Sequence, residues 1–202
     1  MLGVIAVVVG ILLPRMASKR AEMERRRKRI ACVSNLKNIG LSIRIFATDN
    51  SELFPARLMV SNGVELTSID LLEVYRSLSN ELSTPKVLHC WSDTKREPKD
   101  WSRINFDTIR AQNISYFTSL SAEETRPEII LGGDRNLATN GLTVGSGFFA
   151  MGTNAQVGWT KEMHVEMGQV VMSDGSVQQM SSSRLKASLK DQDIATNYLV
   201  IP

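Results

Sequence analysis

The sequence predicts an α+β protein: a long amino-terminal helix packed on a small antiparallel β-sheet with irregular loops. Three observations lead there. Between Arg15 and Asp49 there is no proline, and Gly40 is the only glycine. Within that stretch Cys32, Leu36, Ile39, Ile43 and Phe46 recur at spacings of 4, 3, 4 and 3, one helical face held over four turns. Further on, residues 167–172 (MGQVVM) and 177–180 flank Ser173-Asp174-Gly175-Ser176, and Asp-Gly between two apolar runs is a strong hairpin signal. With 202 residues, 43% of them hydrophobic, the chain has enough apolar material for one packed core.

The helix is expected from Leu2 to about Thr48, with Pro14 permitting a kink and Asp49-Asn50-Ser51 ending it before Phe54-Pro55. Val33, Gly40 and Ala47 widen the buried stripe. Leu41 and Ile45 lie off it, which predicts cover on more than one side over the later turns. Residues 68–82 repeat apolar positions at helical spacing, predicting a second helix with Ser68 as N-cap. Residues 87–91 read as a short extended segment, 93–107 as polar loop. Residues 114–120 (ISYFTSL) alternate and read as a strand; 129–131 read as another, ended by Gly132-Gly133. The glycine-rich stretch 136–159 reads as irregular, and 183–189 as a terminal helix. Two parts follow: residues 1–30, the apolar and then basic half of the long helix, and residues 31–202, a globular part that includes the rest of it.

Charge is concentrated in the first part. Residues 15–29 hold eight basic residues against Glu22 and Glu24, a local net of +6 on a chain of net +3, which leaves −3 for the remainder. Before them, residues 1–13 (MLGVIAVVVGILL) carry no charge. Thirteen residues of helix reach about 20 Å, short of the roughly 30 Å of a bilayer's hydrocarbon. The order also differs from a signal peptide, in which positive charge precedes the apolar run. Eight cations could draw nucleic acid, but no aromatic residue lies between Met1 and Ile45 to stack on bases, so a solvated or headgroup-contacting helix is the better reading.

Several ordered motifs resemble one family. Cys32-Val-Ser-Asn-Leu-Lys-Asn-Ile-Gly40 resembles the segment that follows the hydrophobic helix in bacterial prepilin-like proteins of planctomycete and verrucomicrobial type, which are related to the pseudopilins of type II secretion. Phe46 to Asn50 running to Phe54-Pro55, Cys90-Trp91-Ser92-Asp93, Ser115-Tyr116, the LGGDRN stretch at 131–136 and the VVMSDGSV stretch at 170–177 are similar to motifs of the same proteins, in the same order. The resemblance implies a type IV pilin-like fold and a non-enzymatic structural subunit. Such a subunit is anchored in the inner membrane by a single pass, has its body in the periplasm, and assembles with other pilin-like subunits through its helix. Inner-membrane lipid and those subunits are the implied partners, with no small-molecule substrate. The family's basic leader, glycine cleavage site and helix glutamate match no residue here, and an extension upstream of Met1 is expected to carry them. That extension would also oppose the positive-inside bias of residues 15–29. Ser176 stands where the family usually has histidine, which removes an acid–base or metal role there.

Catalytic and metal chemistry is sparse. Cys32 and Cys90 form no Cys-x-x-Cys pair, which speaks against zinc. They are either two separate buried thiols or, outside the cytoplasm, partners in one disulfide tying the helix to the body; they are expected to approach each other. His89 is read as a packing residue beside Cys90. His164, between Glu162 and Glu166, is not read as a zinc ligand. Asp134 and Asp174 could offer oxygens to calcium, but without EF-hand spacing turn chemistry explains them better, and no cofactor is expected. No nucleophile elbow, P-loop or dinucleotide fingerprint occurs.

Overall fold

The computed structural model describes residues 2–95, 97–98 and 111–202, with side chains from Arg15 onward except that of Ala111. Most of the predicted polar loop 93–107 lies outside the described residues. Helix α1 (Leu2–Asp49) runs through Pro14 without a break in its assignment. Residues 15–27 are exposed, Lys28 and Arg29 are half-buried, and from Cys32 onward one face is covered. The helix thus stands clear of the body and enters it at a neck near Arg29. Cys32, Leu36, Ile39, Ile43 and Phe46 are all buried. Leu41 and Ile45 are not: they are 58% and 45% exposed, so the body covers one side of the later turns only.

Predicted helix 68–82 is replaced by two short ones, α3 (Leu71–Ser77) and α4 (Ser79–Leu82), after α2 (Pro55–Ser61). Ser68 is not the cap. It ends a 3-10 turn (Leu66–Ser68), and Asp70 caps α3 by accepting from the Leu72 amide at 2.9 Å. An acidic cap at that position also suits the helix dipole. The expected extended segment 87–91 begins as a 3-10 turn (Pro85–Leu88) with Thr84 at its N-cap; His89 is extended, and the chain turns at Trp91.

The main sheet has six antiparallel strands in the order β5-β9-β1-β2-β7-β8. They are β1 (Tyr116–Ser119), β2 (Ile130–Asp134), β5 (Gly147–Gly152), β7 (Met167–Met172), β8 (Val177–Ser181) and β9 (Thr196–Ile201). β7 and β8 form the hairpin that Asp174-Gly175 predicted, and helix α5 (Ser182–Asp191) lies where 183–189 predicted one. Strand β2 corrects the sequence reading, because it continues through Gly132 and Gly133. Side chains there would meet neighbouring backbone: a Cβ on Gly132 would lie 2.8 Å from the Phe117 carbonyl oxygen, and one on Gly133 2.8 Å from that of Gln169. The glycines let three strands close up and do not end one. Stretch 136–159 is also corrected. It holds β5 and, in a second sheet of order β4-β3-β6, β3 (Leu137–Thr139), β4 (Leu142–Thr143) and β6 (Val157–Trp159). Strands of two or three residues are too short to show alternation against a background of glycine.

The sheet separates two cores. α1 with the short helices fills one face, around Leu36, Ile43, Tyr75, Leu78 and Val171; α5 and the small sheet fill the other, around Phe117, Trp159, Met180 and Leu185. Gly40 sets the approach of α1 to the hairpin, since a Cβ there would lie 2.6 Å from a Val171 methyl.

Candidate functional site

At the neck, four separate parts of the chain converge on a small buried cluster. Cys32 of α1 and Cys90, just before the Trp91 turn, are joined as a disulfide with Cα atoms 5.1 Å apart. The bond ties the helix to the body across a sequence separation of 58 residues. The Asn35 amide reinforces it by donating to the His89 carbonyl at 2.8 Å. His164 enters from the loop between β6 and β7 and places Nε2 3.4 Å from Cys90 Sγ. The same Nε2 lies 3.4 Å from Oδ2 of Asp134, the last residue of β2. The Asp134 side chain is completely buried; Oδ2 accepts from the Gln169 backbone N–H at 2.6 Å, and Oδ1 has no hydrogen-bond partner among the described residues.

The His164–Asp134 contact has the geometry of an ion pair without the charges. Burial pushes Asp134 up to about 8, with the Gln169 N–H pulling the other way and the Asp93 charge adding to the rise. Burial, then the nearby Arg29 charge, push His164 down to about 4. At neutral pH the pair is a protonated carboxyl beside a neutral imidazole, which a low-dielectric interior favours over two buried ions.

The loop that delivers His164 is unusual. Met163, Val165 and Glu166 all have positive φ (60°, 54° and 59°), a conformation costly for non-glycine residues and especially for β-branched valine. Two neighbours hold it. The Asn136 amide donates to the carbonyls of Glu162 (3.0 Å) and Met167 (3.1 Å). Arg135 grips Asp93 through two nitrogens at 2.7 and 2.8 Å and reaches Glu162 at 3.1 Å. Burial alone would raise Asp93, but the hydrogen bonds and charge of Arg135 override it and hold the carboxyl below its usual value. Outside this cluster, Arg25, Lys28 and Arg29 of α1 line a cavity of about 180 Å³ with Ser92, Met163, His164 and Val165. Arg29 Nε is shielded there without a hydrogen-bond partner among the described residues.

The sequence-level candidates fall in different places. Cys32, Cys90, His164 and Asp134 are together. His89, although adjacent to Cys90, turns its Nε2 to the Lys95 carbonyl at 2.8 Å. Asp174 is in the β7–β8 turn, where its Oδ1 accepts from the Ser176 amide at 2.8 Å and its carbonyl accepts from Arg44 at 2.6 Å. Asp134 lies beside Gln169 of β7, whereas Asp174 lies beyond that strand's end, so they do not form one calcium loop. The Asp93–Arg135 pair and the Asn136 clamp had no sequence signal; their partners are 42 and 26 or more residues apart.

Chemically, the bonded cluster is a lock. Disulfide sulfurs are neither thiolate nucleophiles nor good metal ligands, and the neighbouring acid and imidazole are uncharged. No family model, no curated protein and no solved structure matches this chain.

Proposed function

We propose that the protein is a pilin-like structural subunit, anchored at the inner membrane with its body in the periplasm, that assembles through α1 with copies of itself or related subunits. One observation carries the reading: α1 is apolar on two opposite sides. Its body-facing stripe is buried. On the far side Met16, Met23, Ile30, Leu41 and Ile45 are between 45% and 60% exposed. At 100° per residue these five fall within a sector of roughly 60°, nearly opposite the buried stripe. Arg20, Arg27 and Ser34 are interleaved with them, giving a helix-packing surface with polar edges. A helix that only supported its own body would need no second stripe.

The Cys32–Cys90 bond supports an oxidising compartment. Among the described residues no helix is long and apolar enough to cross a membrane. The uncharged run 1–13 is the segment of α1 that such an anchor would place in lipid. The ordered motifs from Cys32 to Val177 point to the same class.

Single cysteines at Glu22, Met23 and Glu24 in the membrane-embedded full chain test this. Successive residues turn by about 100°, so oxidation should yield disulfide dimers at Met23 and few at its neighbours. Equal yields at all three, or none, would defeat the packing surface. An alkaline phosphatase reporter fused after Pro202 should be active outside the cytoplasm; an inactive fusion would defeat the orientation.

A further inference from the structure

We propose that the neck cluster is a thiol-dependent site for a single divalent metal of the zinc class. Cys32, Cys90 and His164 are its ligands, Asp134 beside His164 is the side chain to fill a fourth position once the sulfurs part, and the disulfide is its closed form. The inference concerns the body alone and does not rest on membrane assembly.

The donor geometry carries it. One ligand atom from each of Cys32, Cys90 and His164 lies within 4.8 Å of the others, and all three residues are buried. Zn–S bonds of ~2.3 Å and Zn–N and Zn–O bonds of ~2.0 Å at a tetrahedral angle put S and N about 3.6 Å apart, and N and O about 3.3 Å apart. Both separations already exist, at 3.4 Å for Cys90 Sγ to His164 Nε2 and 3.4 Å for Nε2 to Asp134 Oδ2. Only the sulfurs must move, from bonded contact to the roughly 3.8 Å that two Zn–S bonds require.

Three further features have no role in a plain disulfide lock. Asp134 Oδ1 is buried without a partner among the described residues. His164 is held against the sulfurs by a loop with three left-handed non-glycine residues. Arg25, Lys28 and Arg29 line the adjoining cavity, which among the described residues is lined by no carboxylate, and among those residues Arg29 Nε has no hydrogen-bond partner. A metal held by two thiolates, one carboxylate and one imidazole carries a net charge of −1, which this cationic wall would compensate. The same wall favours thiolates over thiols.

Opening the site is a two-electron reduction. A water-soluble phosphine cleaves the S–S bond, takes the oxygen of one water molecule as its phosphine oxide, and leaves both cysteines as thiols. The metal then displaces both thiol protons, and the Asp134 proton as its carboxylate joins the site, so that three protons pass to solvent as the S–metal and O–metal bonds form.

The test titrates Co²⁺ into the full chain in neutral detergent, oxidised or phosphine-reduced, without oxygen. The reduced chain should bind one equivalent, with sulfur-to-cobalt charge-transfer and tetrahedral d–d absorption that Zn²⁺ abolishes; the oxidised chain should show neither. Cys32→Ser with Cys90→Ser should eliminate the bands. His164→Ala should weaken binding at least tenfold and Asp134→Asn about tenfold, whereas His89→Ala should leave it unchanged. A reduced chain that gives no thiolate–cobalt bands, folded or not, overturns the site. So does binding that survives His164→Ala unaltered, since that is what any two free cysteines would give.

Discussion

On one side of α1, Cys32, Leu36, Ile39, Ile43 and Phe46 lie under the sheet and short helices; on the other, Met16, Met23, Ile30, Leu41 and Ile45 face solvent. The two sets are chemically alike. What separates them is the body, which reaches the helix only from the turn at Arg25–Arg29 onward and on only one side. The covered set stabilises this chain's own fold. The uncovered set contributes nothing to that fold and is available for contacts with another helix. Apolar spacing in a helix therefore reports that a surface will be buried, not by what.

The largest expected contrast is between Leu36→Ala and Leu41→Ala. The first empties a buried site and should lower the urea-unfolding free energy by about 2–5 kcal/mol. The second should change it by less than about 0.5 kcal/mol. Similar losses would mean that the far side is also packed in the isolated chain, breaking the comparison. Next, replacing Cys32 and Cys90 together with alanine should cost about 2–4 kcal/mol by releasing the loop the disulfide closes. The loss should match that of the reduced wild type when metal is chelated, and a stability unchanged by the pair would remove the lock.

Gly40→Ala probes how closely the covered side approaches the hairpin. Its methyl would meet Val171 at 2.6 Å, so a loss of about 1–3 kcal/mol is expected from overpacking. Val171→Ala in the same chain should recover part of it; strictly additive losses in the double-mutant cycle would refute that contact.

The smallest effect expected is in pH dependence. His164 titrates near 6.5 unfolded and about 4 folded, while Asp134 titrates near 3.8 unfolded and about 8 folded. From pH 4 to 6.5 the folded pair holds one proton, on Asp134, and the unfolded pair also holds one, on His164. The two contributions cancel, and stability should be flat. From pH 6.5 to 8 only the folded pair is protonated, so stability should fall as pH rises, by about 1–2 kcal/mol. Asp134→Asn leaves only the depressed histidine, whose contribution grows between pH 4 and 6.5 and then levels. Chemical unfolding across pH 4–9 distinguishes the two profiles, and identical curves would discard the assignment.

Much of this was legible before any coordinates. Helix α1, the β7–β8 hairpin and α5 come from local signals: helix formers with a 3.6-residue period, and an Asp-Gly turn between apolar runs. Local chemistry misled where tertiary contact overrode it. Gly132 and Gly133 read as a strand's end yet sit mid-sheet, because the approach of β1 and β7 excludes side chains. Ser68 read as a cap, whereas Asp70 next to the buried Leu71 takes that place. Leu41 and Ile45 read as covered, although the body packs only against the opposite side of those turns. β9 (Thr196–Ile201) was not foreseen at all, although it pairs with both β5 and β1.

By itself the sequence determined the α+β class, the length and buried face of the long helix, the charged neck and the hairpin, since each depends on residues a few positions apart. Only the tertiary structure decided that Cys32 bonds Cys90, that His164 and Asp134 close around that bond, and that Arg135 holds Asp93. Those partners are 58, 74, 30 and 42 residues apart in turn. Whether such groups meet is set by how sheet and helix pack, and no local spacing encodes it.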